Sequence, residues 1–283
     1  MTARNKGIFL MVMSSLFFAV MAAAVKVSGD LPTMEKVFFR NIIGFTATGI
    51  FIWRKGGSFA GSNKKWLLLR SLFGFLGLVF YFYAIDRLPL ANAVILNQMN
   101  PFITLVLAYL FLREHVYNPQ WFAVGVAMLG ILLIVKPGFG YTFAPALVGI
   151  LSAFFAAAAY TVVRHLRLTD QPQTIIFYFT GFTTMATLPF MVWGNFIMPD
   201  FAQMGALATV GITATIAQYL MTYAYRYSEA GDLSIYSYSN TIFAVVIAML
   251  VWQEFPDLVS IVGIMLVLVG AVFNWWTKQK ADP

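Results

Sequence analysis

The chain has 283 residues, 60% of them hydrophobic and only 10% charged, and its mean hydropathy is +0.79. So little polar surface cannot cover a water-soluble domain, and a polytopic membrane protein is implied. The lack of cysteine excludes a disulfide framework, a thiolate nucleophile and a thiolate metal site.

A bilayer core takes about 20 apolar residues per helix. Ten such spans are predicted, at 7–29, 34–54, 66–86, 90–112, 119–136, 145–166, 173–194, 205–226, 231–252 and 258–276. Proline and glycine punctuate the joins, as at Pro32, Pro89, Pro119, Pro137-Gly138, Pro172, Pro199 and Pro256. No intervening stretch is long or polar enough for an extramembrane domain, so the function must sit in the helices and their short loops.

The first span follows Arg4 and Lys6 and ends in Met21-Ala22-Ala23-Ala24, which imitates a secretory signal. The apolar run is longer than a signal core and nine spans follow it, so the first helix is expected to stay. In the second span Arg40 lies more than a turn from the outer end, where a charge is costly unless it faces water or a partner. Two readings stay open for it. It orients an outer gate through Glu35, Asp30 or Asp86, or it touches a substrate carboxylate or phosphate.

The fourth span carries a polar, helix-breaking cluster of Asn97, Gln98, Asn100 and Pro101. Asn97, Asn100, Pro101 and Thr104 share a face by three- and four-residue spacing. Pro101 removes a backbone donor and clashes with the Asn97 carbonyl, so a kink and a freed acceptor are expected. Such a break at membrane depth belongs beside protein or a cavity; the alternative is that these amides only join neighbouring helices. Tyr160 lies toward the inner end of the sixth span, and Gln218 is near the middle of the eighth. The ninth span is rich in hydroxyls and contains Tyr236 and Asn240, four residues apart and so expected to share one face of a helix. Glu114 and Glu254 end the fourth and ninth spans as structural residues or gating partners of loop basics. No carboxylate falls in the middle third of any span, so transport should follow the substrate gradient or exchange, with weak pH dependence.

The chain repeats itself. Tyr83, Ala84, Ile95, Asn100, Ala108, Leu110, Glu114 and Gly130 recur at one offset as Tyr223, Ala224, Ile235, Asn240, Ala248, Leu250, Glu254 and Gly270. Ser15, Phe17, Phe18 and Gly44 recur at a slightly smaller offset as Ser152, Phe154, Phe155 and Gly181. Five spans per copy turn the second copy upside down, with a pseudo-twofold axis in the membrane plane and Asn100 and Asn240 near the midplane. With the N-terminus inside, 13 of the 18 basic residues fall on inner segments and 5 on outer ones. Both termini are therefore expected in the cytoplasm, and the charge of +7 needs no nucleic acid to explain it.

Phe111-Leu112-Arg113-Glu114 with Gln120 and Gly130, and Trp252-Gln253-Glu254 with Gly263 and Gly270, resemble the helix-four to helix-five signature of EamA domains. These belong to the drug/metabolite transporter superfamily. The first copy carries Ala123 where the signature has its first glycine. Phe38-Phe39-Arg40-Asn41 resembles the start of the family's second helix, and Tyr83-Ala84-Ile85 with Leu90-Ala91-Asn92-Ala93 the junction of its third and fourth. The resemblance implies an all-α fold of two inverted five-helix repeats, at 7–136 and 145–276. A central cavity would be walled by helices one to four and six to nine.

The expected function is secondary transport of a small polar or amphipathic metabolite by alternating access, with export of an amino acid or related compound favoured. Uptake of a specific nutrient, nucleoside or methylated cofactor is the alternative. An intramembrane enzyme would need paired carboxylates, a Ser-His pair or a metal cluster at depth, and none is visible. Candidate substrate contacts are Asn97, Gln98, Asn100, Tyr236, Asn240, Gln218, Tyr160 and Arg40. The expected surroundings are a bacterial inner membrane, a small-molecule substrate, no cofactor, metal or nucleic acid, and a monomer or homodimer.

Overall fold

The computed structural model describes residues 3–55, 58–112, 118–135, 143–166, 169–194, 196–227, 233 and 236–281. All regular structure among the described residues is helical: α1 (Ala3–Val27), α2 (Thr33–Lys55), α3 (Lys64–Arg87), α4 (Leu90–Asn97), α5 (Asn100–Leu112) and α6 (Asn118–Val135) come first. They are followed by α7 (Phe143–Leu166), α8 (Pro172–Trp193), α9 (Phe201–Tyr227), α10 (Ser239–Trp252) and α11 (Leu258–Ala281). Because α4 and α5 are two halves of one crossing, the bundle has ten crossings. Six helices are long and apolar enough to span a bilayer by themselves. Among the remainder, α2 carries charges at both ends and inside, while α4 with α5 is broken.

Local chemistry sets the helix ends. Pro89 precedes α4 and accepts the Ala93 amide, and Pro172 opens α8, where its missing N–H is no loss. Asp200 and Gln203 form a capping box at the start of α9: Asp200 Oδ1 accepts the Gln203 amide at 2.7 Å, and Gln203 Oε1 accepts that of Asp200 at 2.9 Å. This cap starts α9 four residues before the span boundary at 205. Asp257 caps α11 through the Ser260 amide at 2.8 Å.

The helix pairing follows the inverted repeat. α1 packs most heavily on α9 and α3 on α7, pairs that exchange when the halves are swapped. α2 packs on α8, and α6 on α11, pairs that map onto themselves. At the α2–α8 crossing Phe45 stacks on Phe177 with centroids 4.7 Å apart. Gly44 and Gly181 make room there, since a Cβ on either would stand 3.1 Å from Thr180 or 2.8 Å from Phe45. At the α6–α11 crossing the backbones touch. A Cβ on Gly130 would stand 2.6 Å from the Gly263 carbonyl oxygen, and one on Gly263 equally close to that of Gly130. Gly270 meets the Ala123 carbonyl in the same way, at 3.0 Å.

The outer surface is apolar. Trp193 is 84% exposed, Phe201 97% and Leu250 78%, which only lipid tolerates on this scale. The inside is unusually polar for a membrane bundle, with Lys36, Arg40, Asn41, Arg70, Gln98, Asn100, Gln218 and Asn240 all buried. That inversion of the soluble pattern places the chemistry in the interior.

Candidate functional site

The centre of the bundle is built from two broken crossings. α4 stops at Asn97 and α5 resumes at Asn100, with Gln98 and Met99 in a turn between them. The break meets the expectation set by Pro101, and the freed Asn97 carbonyl accepts from Asn100 Nδ2 at 2.9 Å. The Asn100 amide therefore heals its own helix break. Residues 236–237 are helical, Tyr238 lies in a turn, and α10 begins at Ser239. The ninth crossing is thus interrupted at the place equivalent to Gln98, so Tyr236 and Asn240 do not sit on one continuous helix.

Serines from the first and sixth crossings buttress both breaks. Asn97 Nδ2 donates to Ser152 Oγ on α7 at 2.9 Å. Ser15 Oγ on α1 donates to the Ser237 carbonyl at 3.4 Å and the Tyr236 carbonyl at 3.5 Å. Ser15 and Ser152 are repeat equivalents, as are Asn97 and Ser237, so the two contacts fall at equivalent places, although Ser152 accepts from a side-chain amide and Ser15 donates to backbone carbonyls. Gln98 Nε2 crosses the centre to the Ser237 carbonyl at 2.7 Å. Asn240 differs from Asn100, because its buried Oδ1 has no hydrogen-bond partner among the described residues. A buried acceptor without a donor is costly and calls for a partner from outside the chain.

Tyr160 and Tyr236 pack on one apolar cluster formed by Met11, Met221, Ala224 and Leu233, and both are half-buried. Gln218 is buried on α9 next to Ala217, whose carbonyl accepts Ser14 Oγ at 2.8 Å. Arg40 is buried on α2. Its Nη1 donates to Asn41 Oδ1 at 2.9 Å, its Nε finds no acceptor, and its guanidinium lies 5.5 Å from the Phe179 ring centroid. No acidic residue among those described pairs with it. Asp86, one gate partner considered for Arg40, is instead engaged by Lys36 at 2.7 Å.

Two residues of the interior were not singled out from the sequence. Arg70, counted there among the inner flanking charges, is only 3% exposed, and its guanidinium lies 3.8 Å from the centroid of Phe179, the ring that Arg40 also approaches. Its position seven residues into α3, about 9 Å along the helix, is the signal that marks it as more than a flanking charge. Lys36, counted as an outer charge, is completely buried and donates to Asp86 and to the Gly29 carbonyl, each at 2.7 Å. Lys26 pairs with Glu254 at 2.5 Å. Glu254 also accepts the Leu90 amide at 3.2 Å, tying α1, the start of α4 and the end of α10 together at the face away from the termini. Gln253, at φ +53°, makes the left-handed turn that aims Glu254 inward. Glu114, its repeat equivalent, lies outside the described residues.

A lipid-facing bundle of ten crossings, broken at its centre and polar within, is the architecture of a membrane carrier. A model of the EamA-like transporter family matches residues 5–136 and 144–276, and the chain belongs to that family. It is 36% identical over 279 residues to a pseudopaline exporter of Pseudomonas aeruginosa, covering 97% of this chain and 98% of that one. An S-adenosylmethionine uptake transporter of Rickettsia conorii is 22% identical over 253 residues, covering 89% and 85%. A solved crystal structure superposes with a TM-score of 0.73 at 16% identity over 99% of both chains, a likeness of fold. The chain is therefore a multi-pass membrane transporter of the drug/metabolite transporter type.

Proposed function

We propose that this protein is a secondary carrier that exports a small polar metabolite related to amino acids, by alternating access of its two inverted halves. The reading rests on one observation above the rest: unsatisfied polar groups, Asn240 Oδ1 and Arg40 Nε, are buried inside a bundle whose fourth and ninth crossings are broken. In a low-dielectric interior such groups are retained where a ligand completes them. Asn97, Gln98 and Asn100, held by bonds within the chain, shape one wall and Asn240 offers the open acceptor of the other, with Tyr160, Tyr236, Gln218 and Arg40 around them. Export follows the relative named as a pseudopaline exporter, and cargo identity follows from the residues only as far as polar and small.

Uptake is the second reading, favoured by relatives named as S-adenosylmethionine uptake transporters. We place the protein in a bacterial inner membrane with both termini cytoplasmic; withdrawing the buried Lys36, Arg40 and Arg70 from the count of basic residues leaves the inward bias intact. Its family is one of transporters, and we read the chain as a carrier rather than an enzyme. The test is flux of a metabolite panel in proteoliposomes and in inside-out vesicles. Movement into inside-out vesicles supports export, movement only in the opposite sense supports uptake, and no movement of any compound overturns the carrier reading.

A further inference from the structure

Arg40 and Arg70 come from α2 and α3 and meet over one aromatic ring, Phe179 of α8, at 5.5 and 3.8 Å from its centroid. Both are almost wholly buried, at 5% and 3% exposure. They are near enough to one another to repel, and Tyr160 lies within electrostatic range of both. Each guanidinium has five N–H donors. Arg40 uses one on Asn41, while Arg40 Nε and Arg70 Nε and Nη1 have no acceptor among the described residues. The ring faces offer them attraction to the positive charge but do not accept the N–H groups that point along the guanidinium plane.

The described carboxylates are all placed elsewhere. Glu35 holds the Ile197 amide through Oε2, keeps a buried Oε1 open and forms no ion pair with either arginine, while Asp86 holds Lys36, Asp170 holds the Ser62 amide, and Glu254 holds Lys26. Asp200 and Asp257 cap helices, and Asp30 is exposed. Two like charges side by side at membrane depth, with open donors and no counter-charge among the described residues, are strongly unfavourable unless an anion arrives. Space has been kept for the arrangement: a Cβ on Gly74, one turn beyond Arg70, would stand 2.7 Å from Arg70 Nη1 and 2.8 Å from the Phe179 ring.

We infer that Arg40 and Arg70 form an anion subsite that takes a carboxylate group of the cargo, with the Tyr160 hydroxyl as a neutral donor beside them. A planar guanidinium fork matches the two oxygens of a carboxylate and holds it in one orientation. This rests on the carrier reading and narrows it: the cargo is a carboxylate-bearing metabolite, polar at the Asn240 end and anionic at the arginine end. The bound carboxylate supplies the counter-charge that none of the described residues provides, so the loaded bundle is more stable than the empty one.

The test uses purified full-length protein and matched probes: succinate and glutarate against the diamides succinamide and glutaramide, with inorganic phosphate as a third arm. Thermal unfolding is measured with and without each probe, for the parent and for Arg40→Gln, Arg70→Gln, Arg70→Lys and Gly74→Ala. Carboxylates are expected to raise the midpoint of the parent while the amides do not, with half-saturating concentrations at least 10-fold higher in R40Q and R70Q. R70K should fall between, because it keeps the charge and loses the fork. G74A, which keeps both arginines but crowds the Arg70 tip, should weaken the response without lowering expression, and it stands in should the glutamine variants fail to fold. Equal responses to acids and amides, no response to any carboxylate, a response to phosphate alone, or carboxylate responses unchanged in the variants would each overturn the subsite. Flux of a neutral metabolite unaffected by R40Q and R70Q would leave the carrier standing and remove the subsite. Carboxylate-dependent stabilisation lost in R70Q, in a protein that moves nothing, would do the reverse.

Discussion

Gln98 and Ser237 join the two halves of the molecule across its centre: the Gln98 amide donates to the Ser237 carbonyl at 2.7 Å, from one broken crossing to the other. Ser237 is the repeat equivalent of Asn97, so the bond links the fourth crossing to the segment that precedes the break in the ninth. An interaction that spans the two repeats at their breaks resists their relative movement.

Replacing Gln98 by leucine keeps the bulk and removes the bond. Loss of one hydrogen bond to a partner that also accepts from Ser15 should cost about 1 kcal/mol. The expected outcome is a small fall in the thermal midpoint of the purified protein and a larger change in turnover than in apparent affinity. A variant with parental turnover and lower affinity would assign Gln98 to cargo binding instead of to the junction.

Asn100 and Asn240 are repeat equivalents with different duties. Asn100 Nδ2 is committed to the Asn97 carbonyl freed by Pro101, whereas Asn240 Oδ1 is buried and open. Asn100→Ala uncovers a buried carbonyl and should destabilise by about 1–3 kcal/mol, with affinity kept. Asn240→Ala removes an acceptor that has no donor among the described residues, so stability should be unchanged or slightly higher while affinity falls about 10-fold, equivalent to 1.4 kcal/mol. Unfolding and binding measured on the same preparations separate the two.

Lys26 and Glu254 fasten α1 to the end of α10 and, through the Leu90 amide, to the start of α4. Glu254→Gln removes the ion pair while keeping an acceptor for Leu90. A cysteine introduced at Leu88, whose carbonyl faces Lys26 at 3.5 Å, should then react faster with a membrane-impermeant thiol reagent added on the face opposite the termini. No change in labelling would show that the pair holds no closure.

At the α6–α11 crossing, Gly130→Ala and Gly263→Ala place a methyl where a carbonyl oxygen is 2.6 Å away, and backbone cannot step aside as a side chain can. Each should cost about 1–3 kcal/mol. Gly125→Ala, on the same helix with nothing within 4 Å of the added carbon, is the matched control and should be neutral or stabilising. Thermal unfolding in detergent reads all three.

The ten crossings, the inverted repeat and the break at Pro101 were legible because each depends on local composition or spacing. The break in the ninth crossing was not, because no proline marks it; only the run of hydroxyl residues from Ser234 to Thr241 hints at it. The buried charges were legible only in part. Arg40 stood out by depth, but Arg70 resembles the lysines that begin its helix, and counting charges by side hides how far it sits inside. Lys36 is buried only because Asp86 arrives from α3, and such a pairing has no trace in the residues next to either partner. The different roles of Asn100 and Asn240 follow from Pro101 lying beside one and Thr241 beside the other, a distinction visible once the freed carbonyl is assigned an owner.

The Gly130–Gly263 contact has a mechanical consequence. Each glycine belongs to a different repeat, and the two helices have each other as principal neighbour. An axial slip by one residue, about 1.5 Å, would drive a side chain of Leu129 or Ile264 toward a gap that admits only backbone. The crossing therefore behaves as a pinned joint at the rim: it fixes the register of the two repeats and leaves rocking about the pin as their available motion. A spin-label pair on the exposed Leu129 and Val262 should keep one distance throughout the cycle, while labels spanning α1 and α10 should not.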